Sequence, residues 1–224
     1  MINYLKSTTI VAVLAVSSTA VLAEDYPTPV PLADGAQASM DTITTTNDTF
    51  RIAYMPPATE FNYYIAIGEG IKTVAEAQGA EVFMLAPQSG ADINGQMGMI
   101  QDVLTQDVDA IIFGTHDEFA AAPLIERAVD QGIAVLMINS DIPNFPTPIH
   151  GVVGYSQRNG THKIADWAIE TYGDEPVRVG IIEGQPGYHS TERVGGFLDG
   201  IEGNENFEVV VSIAGGWNVE GGNT

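Results

Sequence analysis

From residue 50 onward, short apolar runs alternate with longer amphipathic stretches, and this alternation restricts the fold more than any other feature. The runs are RIAYM behind Phe50, EVFMLA (81–86), DAIIFG (109–114) and AVLMI (134–138). Between them the spacing predicts helices over about 61–78, 92–105 and 120–131. In the first helix Ile67, Ile71, Val74 and Ala75 fall at helical spacing, and Gly79 supplies a stop. Apolar strands separated by helices of this length imply βαβ units and a parallel sheet covered on both faces. SDIPNFPTPIH (140–150) then brings three prolines, an irregular crossing. Beyond it the alternation resumes with a short strand in HGVVGY, a helix over about 159–172, VRVGIIEG (177–184), a helix over about 189–201 and EVVVSIAG (208–215). The expected fold is α/β with two lobes, residues 50–150 and 151–224, joined by the crossing. The second lobe has only about three strands before GGWNVEGGNT, so the chain reads as a fragment whose second lobe is incomplete and poorly stable.

The first 23 residues have Lys6 near the start, an apolar run from Ile10 to Val16, and small-residue positions at Val21 and Ala23. That is the pattern of an export signal. Ser17, Ser18 and Thr19 interrupt the run well short of the ~20 residues that a membrane span needs. The periplasm is therefore the expected destination. With no cysteine in the chain, neither a disulfide nor a lipid anchor is expected, and stability must come from a packed core. Residues 24–49 carry three alternate-spaced prolines and a Thr-rich run, which read as an extended, mobile leader. Against 8 Lys+Arg stand 29 Asp+Glu, a formal charge of −21 that becomes −22 if Lys6 leaves with residues 1–23. Such a balance repels nucleic acid and anionic membranes, so neither is an expected partner.

Enzyme signatures are missing. The loop after the first strand is PPATEF, with no glycine nest for a pyrophosphate, and no phosphate-binding Gly-Lys-Ser/Thr loop follows anywhere. A Gly-x-Ser-x-Gly elbow is also absent. His116, His150, His162 and His189 are scattered, with no second metal ligand at suitable spacing. His116 reads as a loop residue pairing with Asp117 or Glu118. No catalytic residue, metal or cofactor is expected.

The loops past the strand ends hold a different kind of chemistry. In an open α/β sheet, ligands bind beyond the carboxyl ends of the strands. There the chain places Phe61, Asn62, Tyr63 and Tyr64; Thr115, His116 and Asp117; Asn139, Ser140 and Asp141; Gln185 to Thr191 with Arg193; and Trp217. A sugar needs flat rings against its C–H faces and forked polar groups on its hydroxyls. Both kinds are present, contributed by both lobes, so a ligand could be clasped between them by hinge closure. Arg193 reads more readily as an ion-pair partner of Glu183 or Glu192 than as a direct ligand contact.

In these residues the chain resembles the substrate-binding proteins of bacterial sugar ABC transporters. These are the ribose- and galactose-binding, type I periplasmic binding proteins, with two Rossmann-like lobes. The family's Asn-Pro-Phe-Phe entry to its first helix appears as Phe61-Asn62-Tyr63-Tyr64, leading to Gly70. Its Gly-Ile-Pro-Val strand appears as Gly132-Ile133-Ala134-Val135. Its Gly-x-x-Gly stretch with a following Arg-x-x-Gly-Phe appears as Gly184 to Gly187 with Arg193, Gly196 and Phe197, and Trp217 stands at the family's aromatic position before the next helix. The resemblance covers about 50–224. It implies stacking rings at Tyr63, Tyr64 and Trp217, and further ligand contacts from Phe61, Asn62, Asn139, Ser140, Asp141, Thr191 and Arg193. Phe61 replaces a polar amide, Asn139-Ser140 replace an Asp-Arg fork, and Thr191 replaces an arginine of ribose binders. Those departures leave the sugar open and also permit a cationic ligand held by rings. The implied function is capture of a monosaccharide or related polyol by a monomeric protein and delivery to a membrane permease. A sensory adaptor signalling to a histidine kinase or chemoreceptor is the alternative.

Overall fold

The computed structural model describes residue 32, residues 35–139, 142 and 145–223. The expected export signal, Ser140 and Asp141 lie outside them. β1 (Arg51–Met55) pairs in parallel with β2 (Glu81–Met84) on one side and β3 (Ala110–Phe113) on the other. β4 (Ala134–Ile138) follows β3, so the strand order grows outward from the first strand, as βαβ units dictate. The side chains alternate between two covered faces. Ala53, Met55, Ile111, Phe113, Val135 and Met137 pack with Ile100 and Ile125, from α2 (Ile93–Val103) and α3 (Glu118–Asp130). On the opposite face Tyr54 and Ile138 pack with Tyr64, from α1 (Asn62–Ala77). Asp92 and Asp117 begin α2 and α3 by accepting hydrogen bonds from Gly95 N–H (2.8 Å) and Ala120 N–H (2.9 Å).

β5 (Gly151–Val153), expected to open the second lobe, instead pairs with β4 and completes a five-stranded parallel sheet of order β2-β1-β3-β4-β5. Three residues of Gly-Val-Val carry no pattern that says which sheet they join. The remaining elements are α4 (Gln157–Tyr172), β6 (Val177–Glu183), α5 (Tyr188–Ile201), β7 (Phe207–Ala214) and the short α6 (Val219–Gly222). β6 and β7 form a two-stranded parallel sheet, one strand fewer than expected. Helices α4 and α5 approach closely because α5 presents glycines: a Cβ on Gly196 would lie 2.1 Å from Arg158 O, and one on Gly200 2.4 Å from Ala165 Cβ.

The described part of 24–49 corrects the expectation of a mobile leader. Ala38 N–H donates to Ile149 O (2.8 Å) and Thr44 N–H to Gly132 O (3.0 Å). Asn47 N–H donates to the carboxylate of Asp109 (3.0 Å). Ala36 and Ala38 are buried. This segment lies against the first sheet because its backbone donors find partners at the ends of β3, β4 and β5. Proline content and missing periodicity hide such bonds from a sequence reading.

Candidate functional site

The carboxyl ends of both sheets face one cavity of about 360 Å³. The first sheet supplies Phe61, Tyr63 and Tyr64 at the start of α1, His116 after β3, Asn139 after β4 and Tyr155 after β5. The second supplies His189 and Arg193 from α5, and Trp217 after β7. Of the residues expected here, Phe61, Tyr63, Tyr64, Asn139, Arg193 and Trp217 come together. Asn62 and Thr191 are exposed and do not line the cavity.

Phe61 occupies the cap position of α1 and makes no side-chain capping bond there. A helix entry normally favours Ser, Thr, Asp or Asn. Local helix stability is thus given up at the point where a ring reaches the cavity. Behind it, Tyr64 is buried, and Tyr54 donates its hydroxyl to Tyr64 O (2.8 Å). Burial pushes the Tyr64 phenol up to about 12, so it stays protonated at neutral pH.

Asn139 organises the tyrosines. Its Oδ1 accepts from the Tyr63 hydroxyl (2.8 Å), and its Nδ2 donates to the Tyr64 hydroxyl (2.9 Å). To aim both groups, Asn139 takes a left-handed backbone, φ 60°. Trp217 does the same at φ 61°, a strained conformation for a bulky residue. Among the described residues these two are the non-glycine positions with positive φ, and both line the cavity. The Trp217 indole lies over Gly184, where a Cβ would come 1.8 Å from Cζ2. The Arg193 guanidinium stands 4.9 Å from the centre of the same ring.

Gln157, at the start of α4, links the two sides and was not expected. Fully buried, it donates from Nε2 to Asn139 O (2.8 Å) and to His189 Nδ1, and accepts at Oε1 from Arg193 Nε (2.7 Å). Arg193 Nη2 also donates to the Tyr155 hydroxyl (3.1 Å). The expected pairing of Arg193 with Glu183 or Glu192 is therefore replaced: Arg158 takes Glu192 at 3.5 Å, while Glu183 accepts from Ser212. His116 does not bond Asp117, whose carboxylate caps α3; its Nδ1 meets Gly90 O at 3.2 Å, and its ring packs edge-on against Phe61 and His189. Tyr155 and Gln157 carry no distinct sequence signal, because polar residues at a helix start read as caps or solvated positions; His189 lies within the Gln185–Thr191 stretch past β6.

His189 carries a pH dependence. Burial, then the nearby His116 and Arg193, lowers its pKa to about 4. The unfolded chain takes up that proton near 6.5. Between these values the unfolded state binds more protons, so stability falls as the pH drops from about 6.5 to 4. His116 is lowered by burial too and acts in the same direction. We expect a loss on the order of 2–3 kcal/mol between pH 7 and 4.5, read by urea denaturation at each pH. An unchanged midpoint would show that the ring is not held neutral.

This geometry can be set beside known proteins. The family model of the periplasmic binding protein domain matches residues 52–224. The D-ribose/D-allose-binding protein of Pseudomonas aeruginosa is 26% identical over 183 residues, covering 77% of this chain and 56% of that one. A solute-binding protein from Burkholderia graminis in complex with D-arabinose superposes with a TM-score of 0.72 at 22% identity, covering 79% of this chain and 60% of that one. The Caulobacter myo-inositol binding protein gives a TM-score of 0.68 at 24% identity, covering 78% and 58%. The chain spans about half the length of the curated relatives it matches. A family match over residues 52–224, on parallel α/β units whose strand ends converge on one cavity, places the chain in the periplasmic binding protein family with the type I fold.

Proposed function

We propose that this chain is the solute-capturing component of a sugar-importing ABC transporter. It is exported to the periplasm, binds a monosaccharide or related polyol between its two α/β units as a monomer, and passes it to a membrane permease. The observation that carries this reading is the coincidence of backbone strain with the aromatic cavity: Asn139 and Trp217 both adopt positive φ where they line it. Strain of this kind persists where the surroundings impose it, and it clusters at ligand sites. The relatives support the solute class, since the Pseudomonas aeruginosa protein is named for D-ribose and D-allose. Phe61, Tyr63, Tyr64 and Trp217 would stack on the ligand, with Asn139 and Arg193 addressing its oxygens. Ser140, which follows Asn139 directly, is proposed as a further contact. Capture and release need no covalent step, so the protein acts as a binder and not as an enzyme.

A thermal-shift screen of the purified protein against pentoses, hexoses, polyols and their simple derivatives tests the reading. A ligand at one hundred times its dissociation constant adds about 2.7 kcal/mol to the stability of the folded state. One or a few related compounds should raise the melting temperature. No response to any member of the panel would overturn the proposal.

A further inference from the structure

We infer that the cavity selects a polyhydroxy carboxylate, a sugar acid, over the corresponding neutral sugar. The inference rests on the capture site proposed above and concerns what that site prefers. Among the described residues no Asp or Glu lines the cavity, and Arg193 is its one cationic side chain. Burial keeps His116 and His189 from adding charge at neutral pH.

The hydrogen-bonding groups point the same way. Asn139 Oδ1, the natural acceptor for a ligand hydroxyl, already accepts from Tyr63. Tyr64 accepts from Asn139, and Tyr155 accepts from Arg193, so each phenol keeps its own hydrogen to donate. Of the five N–H groups of a guanidinium, the bonds to Gln157 and Tyr155 engage two. Among the described lining groups the free donors thus include a cationic one, while the acceptors that remain are neutral: the second lone pair of Asn139 Oδ1 and the tyrosine hydroxyl oxygens. A neutral sugar offers hydroxyls that must donate as well as accept. A carboxylate is acceptor-only and matches a guanidinium fork. The same balance disfavours the cationic ligand that the sequence left open.

The overall charge of −21 does not oppose this at contact distance. Exposed charges are screened beyond roughly 8 Å at physiological ionic strength, whereas a pair inside a cavity is screened much less.

The test is a calorimetric titration of the purified protein at pH 7.5 with matched pairs: D-ribonate against D-ribose, D-gluconate against D-glucose, and D-galacturonate against D-galactose. At least one acid should bind about tenfold or more tightly than its neutral partner. Arg193→Gln should weaken that acid by about 10- to 100-fold, as loss of a charge-assisted contact implies. Arg193→Lys, which keeps the cation but not the fork, should retain part of the preference. Because the pairs are compared in the unaltered protein, the result stands even if a variant folds poorly. Neutral sugars binding as tightly as their acids would overturn the inference and leave sugar capture intact. Binding by neither member of any pair would overturn both.

Discussion

Asp109→Ala should lower the unfolding free energy by about 3–5 kcal/mol, the largest stability change expected from one side chain here. Asp109 is fully buried at the amino end of β3. Its carboxylate accepts three hydrogen bonds: from Arg51 N–H at 2.7 Å, Asn47 N–H at 3.0 Å and Asn47 Nδ2 at 3.0 Å. Hydrogen bonds to a charged acceptor contribute about 1.5–3 kcal/mol each, and removing the acceptor leaves the donors unmatched. The same residue joins three strands through its backbone, since its N–H donates to Arg51 O (2.9 Å) and its carbonyl accepts from Ala134 N–H (2.9 Å). Losing the carboxylate should therefore loosen the chain around Asn47, while the bonds of Ala38 and Thr44 to the sheet and the ladder itself persist. Asp109→Asn keeps one acceptor oxygen and should cost about half as much. Urea denaturation of both variants measures the difference. A loss below about 1 kcal/mol for Asp109→Ala would mean that desolvating the buried carboxylate cancels its hydrogen bonds.

The contrast between Asp109 and the strands shows what the sequence carries plainly. Strands buried on both faces must be continuous apolar runs, so RIAYM and AVLMI coincide with β1 and β4 to the residue. Helices between them follow from spacing and caps, and α1, α2 and α3 lie within a few residues of expectation. The segment before β1 is held by single polar contacts to distant positions, and no local pattern records those. β5 is too short for its composition to choose a sheet, and its place follows from pairing with β4.

Within the site, legibility divides along the same line. Rings in loops stand out because nothing local explains them, and Phe61, Tyr63, Tyr64 and Trp217 do line the cavity. The polar layer behind the rings was harder to read. Gln157 looks like an ordinary residue of a helix's first turn, yet it ties Asn139 after β4 to His189 and Arg193 on α5. Its side-chain amide has one acceptor and two donor hydrogens, and these three partners use them in that sense. Arg193 was expected to pair within its own lobe because carboxylates adjoin it in sequence. The turn of α5 instead directs it to Gln157, Tyr155 and the Trp217 ring. The two sides of the cavity thus share a network whose members are far apart in sequence and close only in the fold.

Trp217→Ala should weaken ligand binding by about 30- to 1,000-fold while leaving the ligand-free protein nearly as stable as before. The indole is placed by three features. Gly216 and Trp217 take positive φ in succession, Gly184 leaves room for the ring to lie against its backbone, and Arg193 stands over its face. A residue that only filled space would not need a strained backbone on an incompletely buried ring. Removing the ring takes away stacking area against the ligand, for which aromatic side chains bury about 150–250 Å². It also removes the cation–π partner that helps to position Arg193, so oxygen contacts from Arg193 should weaken with it. Trp217→Phe keeps a ring and should retain part of the affinity. Trp217→Gly relieves the positive φ, which offsets the lost packing. Calorimetry on whichever compound the thermal-shift screen identifies, together with melting curves of the three variants without ligand, separates the two roles. Affinity falling while the ligand-free melts stay close to wild type assigns the ring to the ligand. Melting temperatures that fall in step with affinity would assign it to packing, and the stacking role proposed for Trp217 would be wrong.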